Sequence, residues 1–218
     1  MQNQDYYSLR PTQANQLTKH FLFVMGGLFI WFLPLTHNLC VFIDVKAYKL
    51  LNGSLQFSQI WQWVWGILNH HKESYLNVVI MVALNFIGIS TLPKNSRLQA
   101  FASIIYFWLF YQVVLVVTHF IFSDILDLHR HSPSLVIPPK IVLSETLNIA
   151  KIKVFSNYSF PAGHALVAIY WGMFSVMYAK PTVQRIMIAV AILVALPRLF
   201  TGAHWLSDVL FSAFYAAF

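Results

Sequence analysis

The sequence predicts an all-α fold: a polytopic membrane bundle of about six transmembrane helices, with an interfacial helical segment after the first span. Hydrophobic residues make up 58% of the 218-residue chain and charged residues only 10%. An average soluble domain has about 25% charged residues, so this composition argues strongly against a water-soluble globule. The net charge of +7 is scattered among apolar segments and forms no basic stripe, which argues against nucleic-acid binding.

Six apolar segments account for the predicted bundle, since a helix needs about 20 residues to cross the hydrocarbon core. The predicted spans are residues 20–43, 74–92, 99–122, 163–179, 183–200 and 203–218. The last two are shorter and are interrupted by polar groups. The first span is too long for a signal-peptide core and lacks a clear cleavage site, so we expect a retained anchor.

The spans and their connections form one predicted domain, residues 1–218, with three polar regions. Residues 1–19 are a polar N-terminal segment. Residues 44–73 carry three tryptophans suited to the headgroup region, which predicts an interfacial helix or a shallow re-entrant piece. An ordinary amphipathic connector is the alternative for this segment. Residues 123–162 form a long loop, and loops of this length are usually functional or disordered.

Charge in the short loops predicts the orientation. The N-terminal segment and the turns 93–98 and 180–185 carry six basic residues and one acid, Asp5. These segments are therefore the better cytoplasmic candidates. The loop 123–162 and the polar ends of the last three spans then lie on the opposite side of the membrane.

The stretch PRLFTGAHWLSD contains a histidine and an aspartate four residues apart, His204 and Asp208. On a helix they would share one face, and the carboxylate would accept a hydrogen bond from one imidazole nitrogen. The other nitrogen would then present a free lone pair, as a histidine nucleophile requires. Arg198 adds a guanidinium suited to phosphoryl oxygens, and Gly202 lets the chain turn. The alternative is a buried ion pair between Arg198 and Asp208, with His204 as a packing residue.

A second polar stretch, SFPAGHA, opens the fourth predicted span. Pro161 and Gly163 break the loop, and His164 then stands at a helix N-terminus, where free backbone N–H groups favour an anion. A histidine placed there can donate a proton to a leaving oxygen, and Ser159 adds a hydroxyl donor. The alternative is a helix N-cap with an interfacial histidine.

A third stretch, LHRHSPSL, contributes Arg130 as a second cation between His129 and His131. These histidines lack the paired carboxylates or the H-E-x-x-H spacing of a metal site, so we predict no metal and no other cofactor. The chain has no G-x-S-x-G motif, which disfavours Ser/His/Asp hydrolysis. Cys40 is the only cysteine, so no intramolecular disulfide is possible.

Together these stretches resemble the type-2 phosphatidic acid phosphatase superfamily of membrane lipid phosphatases. That family carries the motifs Lys-x6-Arg-Pro, Pro-Ser-Gly-His and Ser-Arg-x5-His-x3-Asp, in this order. The third motif matches at Arg198, His204 and Asp208, with Pro197 in place of the leading serine. The second matches as Pro-Ala-Gly-His, which ends at His164. The six-span pattern extends the resemblance over nearly the whole chain.

The first motif departs from the family pattern, since Ser132 precedes Pro133 where the family has arginine. The Arg-x-Ser-Pro form that begins at Arg130 resembles the lipid A 1-phosphate phosphotransferase branch, which uses undecaprenyl pyrophosphate as donor. The second motif of that branch is Phe-Pro-Gly-Asp-His, whereas this chain has Phe-Pro-Ala-Gly-His.

The resemblance implies a role for each site residue. His204 attacks phosphorus and forms a phosphohistidine, Asp208 orients and stabilises it, and His164 protonates the leaving group. The groups that would hold the phosphate oxygens are Arg198, Arg130, Ser159 and the Gly163 amide. Ala162 lacks the usual hydroxyl of its position, and Arg130 or Lys153 would compensate.

We therefore predict a membrane lipid phosphatase or phosphotransferase that cleaves phosphate from undecaprenyl pyrophosphate or another phosphorylated lipid. A lipid A 1-phosphate phosphotransferase and a lipid A or phosphatidylglycerophosphate phosphatase are the alternatives. The altered positions Ala162 and Ser132 motivate another, a non-catalytic lipid-binding or transport member. The membrane character argues against a vanadate-dependent oxidase relative. The expected location is the bacterial inner membrane, with the site on the periplasmic side, and the oligomeric state stays open.

Overall fold

The computed structural model describes residues 19, 22–23, 26, 33–70, 73–125, 127, 130–149, 151–178 and 181–217. Across these ranges the chain is helical, with one isolated antiparallel bridge between His70 and Ile152 and no strand. The predicted all-α class is confirmed. Residues 1–18 of the predicted polar segment, most of residues 20–32 of the first predicted span, and His129 lie outside the described residues.

The helices follow one another along the chain with short connections. They are α1 Pro34–Ser54, α2 Gln59–Leu68, α3 Glu73–Ser90, α4 Lys94–His119, α5 Pro133–Val136, α6 Leu143–Thr146, α7 Gly163–Tyr178, α8 Pro181–Ala195, α9 Pro197–Thr201 and α10 Leu206–Ala217. A 3-10 turn, Leu55–Phe57, follows α1. A π-helical turn, Phe120–Ile125, follows α4.

Two helical segments of the described chain are long and apolar enough to cross a membrane. They are Lys94–Phe122, with 29 residues, and Pro181–Thr201, with 21 residues. The shorter apolar helix Leu206–Ala216 corresponds to the last predicted span. Helices α3 and α7 fall on two more predicted spans. The count of six spans stays a prediction.

The fifth predicted span, residues 183–200, is divided into two helices. Helix α8 ends at Ala195, and α9 begins with Pro197 in its first turn. Proline has no N–H to donate and crowds the preceding turn, so the helix is interrupted there. Helix α9 then ends at Gly202, whose φ of 77° is in the left-handed region. This turn, which the sequence predicts, brings the chain into α10.

Helix α1 runs past the predicted boundary at Ile43 and ends only at Ser54. No proline or glycine interrupts it between Pro34 and Gly53, so nothing in the local sequence stops the helix. Asp44, which the sequence assigned to the interfacial segment, is instead a buried residue of α1. The interfacial prediction therefore applies to a shorter stretch, centred on α2.

Helix α2 has one buried face and one exposed apolar face. Ser58 accepts hydrogen bonds from the amides of Ile60 and Trp61 and so caps the helix N-terminus. Trp61 and Trp63 are 37% and 41% exposed, as expected for rings at a headgroup region. Trp65 differs from the prediction, since it is buried and stacks on Phe200 with ring centroids 3.9 Å apart.

Two apolar cores hold the described chain together. One lies between α3, α4, α7 and α8 and includes Ile104, Trp171 and Met187. The other lies beneath the loop 123–162 and joins Leu55, Trp65, Leu143 and Phe200. The first is the body of the bundle, whereas the second fixes the loop against α2 and α9.

Buried polar side chains also attach the loop to the helices. The Asn52 amide nitrogen donates to the carbonyls of Ile141 and Phe200 at 3.0 Å each. Its oxygen accepts the amides of Lys140 and Ile141 at 2.8 and 3.2 Å. Ser134 donates to the carbonyls of Val154 and Gly202 at 2.6 and 2.9 Å. The loop is thus bound at several points to α1 and to the turn before α10.

Candidate active site

His204 lies in the turn before α10, because that helix begins only at Leu206. Its ring is buried, and Nδ1 is 2.5 Å from the carbonyl oxygen of Ser159. A carbonyl oxygen can only accept, so Nδ1 carries the hydrogen and Nε2 carries the lone pair. Nε2 is buried and has no hydrogen-bond partner among the described residues. The ring is therefore fixed in the tautomer that a nucleophile needs.

Asp208 does not hold His204 in the way the sequence predicts. The two residues do not share a helix, so the four-residue spacing does not stack them. One Asp208 oxygen accepts the Trp205 amide at 2.9 Å, which caps the start of α10. The other accepts from Arg130 at 2.6 Å. The expected support of His204 by Asp208 is thus replaced by the backbone carbonyl of Ser159.

His164 is held in a similar way in the first turn of α7. Its Nε2 is 3.0 Å from the carbonyl oxygen of Ala195, so this nitrogen donates and Nδ1 carries the lone pair. Nδ1 is buried without a partner in the described part of the chain. The rings of His164 and His204 face each other, with centroids 4.9 Å apart and planes at 33°. The structure thus brings the two predicted histidines together.

Arg130 is hydrogen-bonded to side chains of the protein, whereas the sequence predicts that it binds the phosphate of the substrate. Its guanidinium donates to Asp208 and to Asp44, at 2.6 Å each, and to the Ser207 hydroxyl at 2.7 Å. It also lies over the Trp205 ring, 4.9 Å from the centroid. Because two carboxylates pair with this fork, Arg130 joins protein segments to one another. The sequence prediction of Arg130 as a phosphate ligand stays a prediction, and the structure adds these protein partners to it.

Arg198 and Lys153 supply positive charge beside the two histidines. Arg198 lies in α9, six residues before His204, and its charge and that of Lys153 act on both imidazole rings. Burial lowers the pKa of Lys153 below that of an exposed lysine, and the neighbouring Arg198 guanidinium lowers it further. Lys153 is thus a partly buried cation close to Arg198.

Ser159 and Gly163 occupy the positions that the sequence predicts, on either side of the loop-to-helix junction. The Ser159 hydroxyl is buried beside the Asp208 carboxylate. Gly163 is exposed, and a Cβ built on it meets nothing within 4 Å. The first amides of α7 have no acceptor within the helix, so they are available to an anion that approaches over Gly163.

Ala162, where the resembling family has serine, is buried among apolar neighbours. Its amide donates to the Ser212 hydroxyl of α10 at 2.8 Å. A hydroxyl from a different helix therefore satisfies the backbone at the start of α7. The Ala162 side chain contributes packing, and compensation for its missing hydroxyl by nearby cations stays a prediction.

Sequence reasoning missed Asp44 as a residue of the site. It is 1% exposed and pairs with Arg130, 86 positions away in the chain. Local spacing gives no indication of such a pair. The sequence does show that Asp44 directly follows the apolar segment 20–43. Because charges at membrane depth are usually paired or functional, this position could have indicated a role for Asp44.

Among the described residues, no three His, Cys, Asp or Glu side chains are placed to hold one metal ion. The predicted metal-independent reaction stays a prediction.

Comparison with known proteins covers the part of the chain that carries most of these residues. Residues 131–218 match the PAP2 superfamily, and this range includes His164, Arg198, His204 and Asp208. Residues 131–218 belong to the PAP2 superfamily. The predicted family is thereby confirmed for this part of the chain, and a lipid phosphatase or phosphotransferase is the enzyme class that the match indicates. Arg130 lies just outside the range of the PAP2 match.

Two similar proteins extend the comparison beyond the matched range. Lipid A 1-diphosphate synthase of Escherichia coli (strain K12) is 24% identical over 182 residues, which are 83% of this chain and 74% of that protein. A crystal structure of a transmembrane PAP2-type phosphatidylglycerolphosphate phosphatase from Bacillus subtilis superimposes with a TM-score of 0.52 at 18% identity. It covers 92% of this chain and 90% of its own, so most of this chain has a PAP2-type transmembrane fold.

Proposed function

We propose that this protein is an inner-membrane lipid phosphatase or phosphotransferase that removes the terminal phosphate of undecaprenyl pyrophosphate through a phosphohistidine at His204. The observation that carries the proposal is the pair of facing imidazoles. Two backbone carbonyls fix His204 and His164 through opposite ring nitrogens, and each ring keeps one buried nitrogen without a partner. Arg198 and Lys153 add the positive charge that a pyrophosphate needs.

In the first step, the Nε2 lone pair of His204 attacks the terminal phosphorus. The N–P bond forms as the bridging P–O bond breaks, and the lipid phosphate leaves with that electron pair. Protonated His164 gives its Nδ1 hydrogen to the leaving oxygen. The negative charge of the substrate favours the protonated form of His164. Arg198 and Lys153 stabilise the negative charge on the phosphoryl oxygens while the N–P bond forms and the bridging P–O bond breaks.

In the second step, an oxygen nucleophile attacks the phosphohistidine and the N–P bond breaks back to Nε2. His164, neutral after the first step, accepts the proton of the attacking oxygen. With water as nucleophile the product is inorganic phosphate. With a lipid phosphate as nucleophile the product is a lipid diphosphate, and the protein acts as a phosphotransferase.

The second candidate function is the transfer of this phosphate to lipid A. It is favoured by the likeness to lipid A 1-diphosphate synthase, which covers 83% of this chain. Hydrolysis and transfer share the first step and differ only in the acceptor. The topology predicted from the loop charges would place the site at the periplasmic face, where a lipid acceptor would approach from the same leaflet.

The test uses the full-length protein in detergent with undecaprenyl pyrophosphate labelled at its terminal phosphate. We expect labelled inorganic phosphate without an acceptor, or labelled lipid A diphosphate when lipid A is added. His204→Ala should lower either rate by at least about 10³-fold, as loss of a nucleophile does in other enzymes. His131→Ala is the control, because His131 is exposed and only its backbone carbonyl is used, by Trp205.

Full activity of His204→Ala would rule out the nucleophile. Binding of phosphorylated lipids with no turnover on a panel that also includes lipid A phosphates and phosphatidylglycerophosphate would favour the non-catalytic alternative.

A further inference from the structure

The carboxylate of Asp44 is far along the chain from the site but is hydrogen-bonded to residues beside it. It is 1% exposed in α1, which contains none of the motif residues. One oxygen accepts the Ser207 amide at 2.8 Å, and the other accepts from the Ser207 hydroxyl and from Arg130. A buried carboxylate with this many donors is fully compensated, and each donor belongs to a segment next to the nucleophile.

Arg130 carries the connection towards the loop. Its guanidinium is shared between Asp44 and Asp208, while its backbone carbonyl accepts the Ser159 amide at 2.8 Å. The same Ser159 residue then offers its own carbonyl to His204. The side chain and the backbone of Arg130 therefore link α1 to the acceptor that sets the tautomer of the nucleophile.

A second connection runs through α10. Asp44 holds both the amide and the hydroxyl of Ser207, three residues after His204. This contact fixes the first turn of α10 against α1. One connection therefore ends at the His204 ring, and the other ends three residues along the chain from it.

We propose that Asp44 is a positioning residue for the nucleophile, acting on His204 through Arg130, Ser159 and Ser207. This inference rests on the proposed phosphohistidine chemistry. Removing the charge of Asp44 leaves the guanidinium with Asp208 as its one carboxylate partner, so the Ser159 carbonyl is no longer fixed by an ion pair from α1. The His204 ring then loses the orientation of its Nε2 lone pair, although substrate still binds to cations that Asp44 does not touch.

The experiment compares Asp44→Asn with Asp124→Asn, the same chemical change at an exposed carboxylate. Purified protein is mixed with undecaprenyl pyrophosphate labelled at its terminal phosphate, quenched in alkali on a rapid time course, and assayed for phosphohistidine. The amplitude of phosphohistidine formation gives the fraction of active molecules. Its rate constant gives the speed at which His204 attacks the phosphorus. We expect Asp44→Asn to slow the attack by about 10- to 100-fold at unchanged amplitude and KM, as small misplacements of reacting groups do.

Several results would overturn the proposal. An unchanged rate in Asp44→Asn, or a lower amplitude at an unchanged rate, would mean that Asp44 only stabilises the fold. If Asp44→Asn does not fold in detergent, Ser207→Ala decides, since it removes one hydroxyl and keeps both carboxylates. It should slow the attack by about threefold, the effect of one net hydrogen bond, and no change would overturn the proposal.

The wild-type protein separates this inference from the proposed function. Absence of any phosphohistidine in the wild type would overturn both. A wild-type phosphohistidine that depends on His204, but forms equally fast in Asp44→Asn, would overturn only the role of Asp44.

Discussion

The two ends of the described structure are stabilised by different kinds of interaction. The loop end, defined as residues 130–159 with α2 and α9, is joined to α1 and α10 by directional hydrogen bonds and two buried ion pairs. The bundle end, defined as α3, α4, α7 and α8, is joined mainly by apolar contacts around residues such as Met187. Its outer residues, such as Val116 at 70% exposure, are apolar as well.

The difference follows from what each end has to do. Apolar contacts are non-directional, so a helix can shift or rotate slightly at small cost, which suits a surface that faces lipid. Hydrogen bonds and ion pairs depend on distance and angle, so they define positions more narrowly. The two histidines lie where the ends meet, and each is fixed by a directional bond to a backbone carbonyl.

The largest expected effect comes from removing the second histidine at this junction. His164→Gln should lower kcat on undecaprenyl pyrophosphate by about 10²- to 10⁴-fold, the range for loss of general acid–base catalysis. The phosphoenzyme should form much faster from a substrate with a good leaving group, such as p-nitrophenyl phosphate, because that group needs no proton. Rapid-quench rates on the two substrates give the measurement. An equal loss on both would contradict a role as general acid.

The next effect tests the loop end through its hydrogen bonds. Asn52→Leu keeps the volume but leaves two carbonyls and two amides without partners, which should cost about 3 kcal/mol or more of stability. Thermal unfolding in detergent measures the loss, and kcat at saturating substrate should also fall. Met187→Ala is the comparison at the bundle end, with a similar cost of about 2–5 kcal/mol and an unchanged kcat. If kcat fell in Met187→Ala and not in Asn52→Leu, the bundle end would position the site and the loop end would not.

The smallest effect concerns Lys153 and pH. Lys153→Met should raise KM by about tenfold, the contribution of one charge-assisted contact. Because burial and Arg198 lower the pKa of this lysine, its ammonium loses a proton at a lower pH than an exposed lysine does. Wild-type KM should therefore rise with pH as phosphate binding weakens, and the variant should lack this rise. If KM still rises with pH in Lys153→Met, the titration that causes the rise belongs to another group.

Sequence reasoning identified the helical class and singled out the two histidines that the structure brings together, because both depend on local patterns. Apolar segments and the spacing of His204 from Arg198 can be seen within a few turns of chain. The partners of those residues could not be predicted in the same way. Ser159 supports His204 with its backbone carbonyl, which every residue possesses, and Asp44 meets Arg130 across 86 positions. The interruption at Pro197 was visible in the sequence, but the apolar run around it outweighed it in the prediction.

The contact between Gly202 and Tyr48 has a consequence for the order in which the protein is made. A Cβ on Gly202 would lie 2.6 Å from a ring carbon of Tyr48, so the turn before His204 rests directly on α1. During synthesis α1 emerges well before this turn. The turn that carries His204 can therefore reach its final position only by docking onto a helix made much earlier, and a nascent chain that stops before Gly202 cannot form this contact.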